Sequence, residues 1–144
     1  IAGSDSSGGA GIQADIKTIS ALGAYAASAL TALTAQNTQG VQGISPVDPE
    51  FMALQVSSVL NDLQVDAIKI GMVGDSAMTL ALSHVLQRYT GPIVYDPVMI
   101  SPSGHRLMDE KANDAVCPSP LPHCPPHPPT CTKPVCLPPV LSIR

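Results

Sequence analysis

Several things this sequence has little of narrow its class. Lys and Arg number only seven and lie scattered along the 144 residues, so there is no basic stripe to track a nucleic-acid backbone. No apolar run approaches the roughly 18 residues of a membrane-spanning helix, and no secretory-type leader pattern opens the chain. The expectation is a cytoplasmic protein with neither nucleic acid nor membrane as partner. The chain also lacks an initial Met. Ile1 falls within what reads as a strand, which points to a natural start further upstream. A phosphate loop of the Gly-Lys-Ser/Thr type is missing, because Gly11 is followed by Ile12 and Gln13. Gly9-x-Gly11-x-x-Ala14 fits the dinucleotide fingerprint, yet the stretch Ala26 to Ala35 holds no acidic residue to bind a ribose, which argues against that reading.

What is present divides into two unlike segments. Residues 1–112 have the composition of one globular α/β domain, whereas 113–144 hold ten of the fifteen prolines and all four cysteines. Prolines arriving every two or three residues remove backbone donors and disfavour helix, so 113–144 read as a disordered Pro/Cys-rich tail. Cys117, Cys124, His127, Cys131 and Cys136 are zinc-type ligands, but their spacing lacks the paired short knuckles of structural zinc sites. Translation out of frame accounts better for such a tail. Shifted by one nucleotide, its Pro-Pro junctions can become Leu codons, and an ordinary apolar strand could lie beneath.

In the first segment, helical and strand patterns alternate. Ile12, Ile16, Ile19 and Leu22 form an apolar stripe that stops at Gly23, which predicts a helix over about 10–22. Asp48-Pro49 is a cap and first-turn pair ahead of Met52, Val56, Val59, Leu60 and Leu63. Asp75-Ser76 precede a third stripe of Met78, Leu82, Val85 and Leu86. Strands are expected over Ala24–Ala35, Ala67–Met72 and around Pro92–Val98. Such alternation implies parallel strands joined by right-handed crossovers, with ligands gathering at the strand ends.

Polar residues fall at those ends. The Gly-rich turn before the first helix can present backbone N–H groups to an anion or simply make a tight turn. Asp15 lies on the inward arc of the first helix, so its carboxylate needs donors, either from a ligand or from the helix N-terminus and neighbouring backbone. Gln36 and Asn37 close a strand, as ligand contacts or as a solvated loop. Asp96 closes Ile93-Val94-Tyr95 ahead of Pro97, in the manner of a metal or phosphate carboxylate or of a loop cap. Lys69 can reach a phosphate or pair with Asp66. Met72 reads as packing, and His84 as solvated.

Taken together, AGSDSSGGAGIQADIKT at 2–18, ALGAY at 21–25, LTAQNTQGV at 33–41, KIGM at 69–72 and YDPVM with SPSGH at 95–105 closely resemble a known family. It is that of the hydroxymethylpyrimidine/phosphomethylpyrimidine kinases of thiamine biosynthesis, in the ribokinase-like superfamily. The resemblance covers about residues 1–112 and implies the N-terminal half of a three-layer α/β/α sandwich. It implies that Gly3, Ala10, Asp15, Gln36, Met72 and Val98 line a pyrimidine pocket, Asp15 and Gln36 bonding the ring and its amino group. It places Asp96 near magnesium and the phosphate path. ATP and Mg2+ would be the cofactors, a small pyrimidine the substrate, and a homodimer a conceivable assembly.

The family's Thr-Pro-Asn-x-x-Glu element and its Gly-Thr-Gly-Cys helix start, which stabilises the transferring phosphoryl and holds the catalytic residue, do not occur here. No catalytic residue is therefore assigned within this chain, and the expectation is that it is inactive. A pyridoxal/pyridoxine kinase relative and a non-catalytic pyrimidine-binding module stand as the alternatives.

Overall fold

The structure, a computed structural model, describes residues 1–96. Its elements run β1 (Ala2–Asp5), α1 (Gly11–Ala21), β2 (Leu30–Asn37), β3 (Gly40–Pro46), α2 (Pro49–Asp62), β4 (Ile68–Ile70), α3 (Ser76–Leu86) and β5 (Ile93–Tyr95). β1 pairs parallel with β2, β2 antiparallel with β3, and β4 parallel with β5. Ile1 joins the two ladders. Its N–H donates to Lys69 O at 2.8 Å and its carbonyl accepts from Gly71 N at 2.9 Å, the alternation of a parallel ladder. The two sheets, ordered β1-β2-β3 and β4-β5, thus meet at Ile1, which sets the β1 edge beside β4.

Local chemistry places the helices. The Asp48 carboxylate accepts from Glu50 N and Phe51 N at 3.0 Å, and Pro49 opens α2. Asp75 caps α3 by accepting from Met78 N at 2.8 Å. α1 ends in a Schellman turn: Ala24 N donates to Ile19 O, Gly23 N donates to Ser20 O, and Gly23 takes the left-handed φ of +81° that this closure requires.

The sheet has two different faces. Ile68 and Ile70 join Met52, Val56, Val73, Met78, Leu82 and Leu86 in the main core beneath α2 and α3. Lys69, between them, points the other way and reaches α1. α1 thus covers the opposite face through Ile12, giving helix, sheet and helix layers.

Two expectations are corrected. The strand expected over Ala24–Ala35 begins only at Leu30. Residues 24–28 are mostly exposed, and a run of alanines has too little side chain to hold a buried strand there. The all-parallel sheet is broken by β3, which returns antiparallel to β2 through the Thr38-Gln39 loop. The Asn37 side chain shapes that loop by accepting from Gln39 N at 2.9 Å and Gly40 N at 3.2 Å. β3 escaped the periodicity because most of its residues are exposed and it shows no alternation. Val98 and the boundary between residues 112 and 113 lie outside the described residues.

Met52 is fully buried, and Leu54, two residues on, is 59% exposed. Met52→Ala should cost about 2–4 kcal/mol by removing a core side chain, whereas Leu54→Ala should stay within about 0.5 kcal/mol. Urea unfolding of the two variants checks this.

Candidate functional site

The Gly-rich turn is organised by Asp5, a residue only 3% exposed. Its Oδ1 accepts from Ser7 N at 2.8 Å and Ser7 Oγ at 2.7 Å; its Oδ2 accepts from Gly9 N at 3.0 Å and Ala10 N at 2.8 Å. Burial pushes the Asp5 carboxyl up, but the hydrogen bonds from Ser7, Ala10 and Gly9 outweigh it and hold the group below the ordinary carboxylate range. The anion at the head of α1 is therefore the protein's own. Of the two readings of this turn, an anion cradle or a tight turn, these three N–H groups fit the second, because they close on Asp5. Asp5 was not singled out from the sequence, although an Asp followed by small turn residues is the pattern of a side chain bonding to its own downstream backbone.

Further bonds fasten the turn. Gln13 Oε1 accepts from Asp5 N at 2.8 Å while its Nε2 donates to Ser4 Oγ at 2.8 Å. Lys17 Nζ donates to Gly8 O at 2.8 Å. Gly11, at φ +56°, sits so close to the Gly3 carbonyl that a Cβ would collide with it.

Gly3 and Met72 are brought together. A Cβ on Gly3 would lie 2.5 Å from Met72 Cε, so the missing side chain of β1 makes room for the methionine that follows β4. Thr31, buried in β2, donates from Oγ1 to Met72 O at 2.6 Å and fixes that residue's backbone. Gln36 stands at the end of β2, where its N–H donates to Ser6 Oγ at 2.8 Å and its carbonyl accepts from Ser6 Oγ at 2.7 Å. Thr34 Oγ1 donates to Ser4 O at 2.6 Å, and the Gln36 side-chain amide lies 3.2 Å from the same hydroxyl. Ala10 is exposed at the mouth of the turn.

Asp15 has a donor from within the chain that is neither the helix N-terminus nor neighbouring backbone. Lys69 Nζ lies 3.0 and 3.1 Å from its two oxygens, and 3.7 Å from Oδ2 of Asp96. Lys69 thus pairs with Asp15 rather than Asp66, a contact between residues 54 apart that no local spacing reveals. Asp15 and Lys69 also line a groove of about 920 Å³ between α1, the segment after it and β4, alongside Ile12, Ile16 and Tyr25.

The family model of phosphomethylpyrimidine kinase matches residues 5–124. The chain belongs to this family. Among phosphomethylpyrimidine kinase relatives, the hydroxymethylpyrimidine/phosphomethylpyrimidine kinase of Escherichia coli is 50% identical over 113 residues, covering 78% of this chain and 42% of that protein. The crystal structure of the phosphomethylpyrimidine kinase of Clostridium difficile superposes with a TM-score of 0.73 at 45% identity, covering 79% of this chain and 50% of that one. The pyridoxal kinase of Staphylococcus aureus in complex with AMP-PCP gives a TM-score of 0.68 at 31% identity, covering 85% and 44%. The fold is the ribokinase-like α/β fold and the family is one of phosphotransferases. The chain spans less than half the length of the Escherichia coli relative.

The described residues do not fit the cofactors on their own. Among them no three acidic, His or Cys side chains cluster as a metal site, and the N–H groups of Ser7, Gly9 and Ala10 are spent on Asp5. Asp96, half exposed and 3.7 Å from Lys69 Nζ, shares that lysine with Asp15 and joins no such cluster among the described residues.

Asp5→Asn replaces an acceptor with a donor facing Gly9 and Ala10, and should cost about 2–3 kcal/mol at pH 7. Because the Asp5 carboxyl is depressed in the folded state, its contribution is complete above the unfolded value and is lost as pH falls through the folded one. The gap between wild type and Asp5→Asn should therefore narrow below about pH 4. Urea unfolding at several pH values reads this.

Proposed function

We propose that this chain carries the pyrimidine-binding part of an ATP-dependent kinase acting on 4-amino-5-hydroxymethyl-2-methylpyrimidine and its monophosphate, in thiamine biosynthesis. The observation that carries the reading is the family match across residues 5–124. In the family reaction the substrate's hydroxymethyl oxygen would form a bond to the γ-phosphorus of one ATP as its bond to the leaving ADP breaks and the hydroxyl proton is lost, and an oxygen of the new phosphate would do the same with a second ATP; Mg2+, when bound, would offset the phosphate charge.

The chemistry of the side chains supports the substrate class. Asp15 offers acceptor oxygens and Gln36 an amide donor, the complement of an aminopyrimidine edge, which presents an amino donor beside a ring-nitrogen acceptor. Met72 lies beside Gly3, where a polarisable thioether can pack on a ring face, with Ala10 at the mouth. The family resemblance would add Val98, which lies outside the described residues, and would assign Asp96 to the metal and phosphate side. Higher identity to phosphomethylpyrimidine kinase than to pyridoxal kinase structures favours the pyrimidine over pyridoxal. Among the described residues, the N–H groups of Ser7, Gly9 and Ala10 at the head of α1 serve Asp5 rather than a transferring phosphoryl group, which supports reading this chain as a pyrimidine binder without turnover.

Calorimetric titration of the 144-residue chain with the hydroxymethylpyrimidine should show binding, tighter than for pyridoxal. Asp15→Asn should weaken it by roughly 1.5–3 kcal/mol, or about 10- to 100-fold. Incubation with ATP and Mg2+ should yield no phosphorylated product. Unchanged affinity in Asp15→Asn with a lowered melting temperature would make Asp15 a structural carboxylate, and preference for pyridoxal would reassign the ring.

A further inference from the structure

Lys69 is the cation shared by two carboxylates on the α1 side of the sheet, and no role for it follows from the family resemblance. Its backbone is fixed: the carbonyl accepts from Ile1 N at 2.8 Å, and the residue is paired with Val94 in the β4–β5 ladder. Its side chain has been given room. Two residues on, Gly71 replaces what would be a side chain on the same face, and a Cβ there would stand 3.3 Å from Lys69 Nζ and 3.2 Å from Ala2 Cβ. From this base Nζ holds Asp15 by both oxygens, at 3.0 and 3.1 Å, while Asp96 lies 3.7 Å away.

A carboxylate on the second turn of a helix can rotate about its last bond. One contact leaves that rotation open, whereas a grip on both oxygens closes it. An ionised carboxylate has about four acceptor sites. With two occupied by Lys69, the remaining ones keep a fixed direction. The pair is partly exposed, at 33% and 22%, and such pairs contribute little to folding, so its value lies in orientation more than in stability.

We propose that Lys69 is a positioning residue of the pyrimidine site: it orients the Asp15 carboxylate for the ring and its amino group, and acts through Asp15 without touching the ligand. This rests on the pyrimidine reading above. Asp96, the lysine's second neighbour, biases Nζ along the sheet and links the ring side of the site to the end of β5.

The test is calorimetry on the 144-residue chain with 4-amino-5-hydroxymethyl-2-methylpyrimidine, together with thermal melts. Lys69→Met should lower affinity about tenfold with little change in melting temperature, and Lys69→Arg, which can also grip both oxygens, should stay within about threefold of wild type. In an Asp15→Asn background, Lys69→Met should bring no further loss. Wild-type affinity in Lys69→Met overturns the proposal, as does an equal loss in the Asp15→Asn background, which would put the lysine on the ligand itself. Should Lys69→Met fail to fold, Lys69→Gln takes its place, with the same loss expected and unchanged affinity again overturning the idea. Absence of binding by the unsubstituted chain overturns the pyrimidine reading and this inference with it. Binding that ignores Lys69 overturns this inference alone.

Discussion

The buried carboxylate of Asp5 is the constraint on which the rest of the described site depends. It ends β1 and accepts from Ser7, Gly9 and Ala10, so the chain must fold back over it before α1 can begin. An ionised carboxylate with so little exposure is tolerable only with every acceptor site answered, and the turn's N–H groups do that. α1 has no side-chain cap of its own at Ala10; Asp5 supplies the negative charge at its positive end. The direction of α1 then follows. Gln13, one turn in, ties back to Asp5 and Ser4, and Asp15 is carried over β4 to meet Lys69. A turn that looks built to hold a phosphate holds an aspartate.

β4 shows how three residues serve two layers. Ile68 and Ile70 bury themselves beneath α2 and α3, and Lys69 between them reaches the opposite helix. The period of two along a strand makes this division unavoidable. It also sets the character of the two faces. One is a continuous apolar core; the other is charged near α1, with glycine at 71 opening space above the strand. Gly3 does the same for Met72 on the neighbouring strand, so close approach in this site depends on missing side chains as much as on those present.

Much of this was legible in order along the chain. The caps at Asp48 and Asp75, the stop at Gly23 and the apolar stripes of α2 and α3 are interactions among residues a few positions apart, and local spacing reports them. The inward placement of Asp15 followed from helical rotation alone. The family resemblance drew Gly3, Ala10, Asp15, Gln36 and Met72 into one set, and the structure sets Gly3 against Met72 and carries Gln36 to the end of β2. β3 could not be read, because an exposed edge strand needs no alternation; its one local signal is the Asn37 turn. Asp5 was passed over because its role depends on five residues of returning chain.

By itself, then, the sequence determined the three helices, their alternation with the strands other than β3, and the family to which the chain belongs, since all of these rest on short-range periodicity, cap chemistry and motifs of consecutive residues. Only the tertiary structure decided what the charged groups do. That the turn's N–H groups serve Asp5, that β3 returns antiparallel, and that Asp15 pairs with Lys69 rather than the lysine with Asp66 all depend on where the strands lie in the sheet. An ion pair is chosen by distance in space, and the distance between residues 15 and 69 exists only once β1 has settled between β2 and β4.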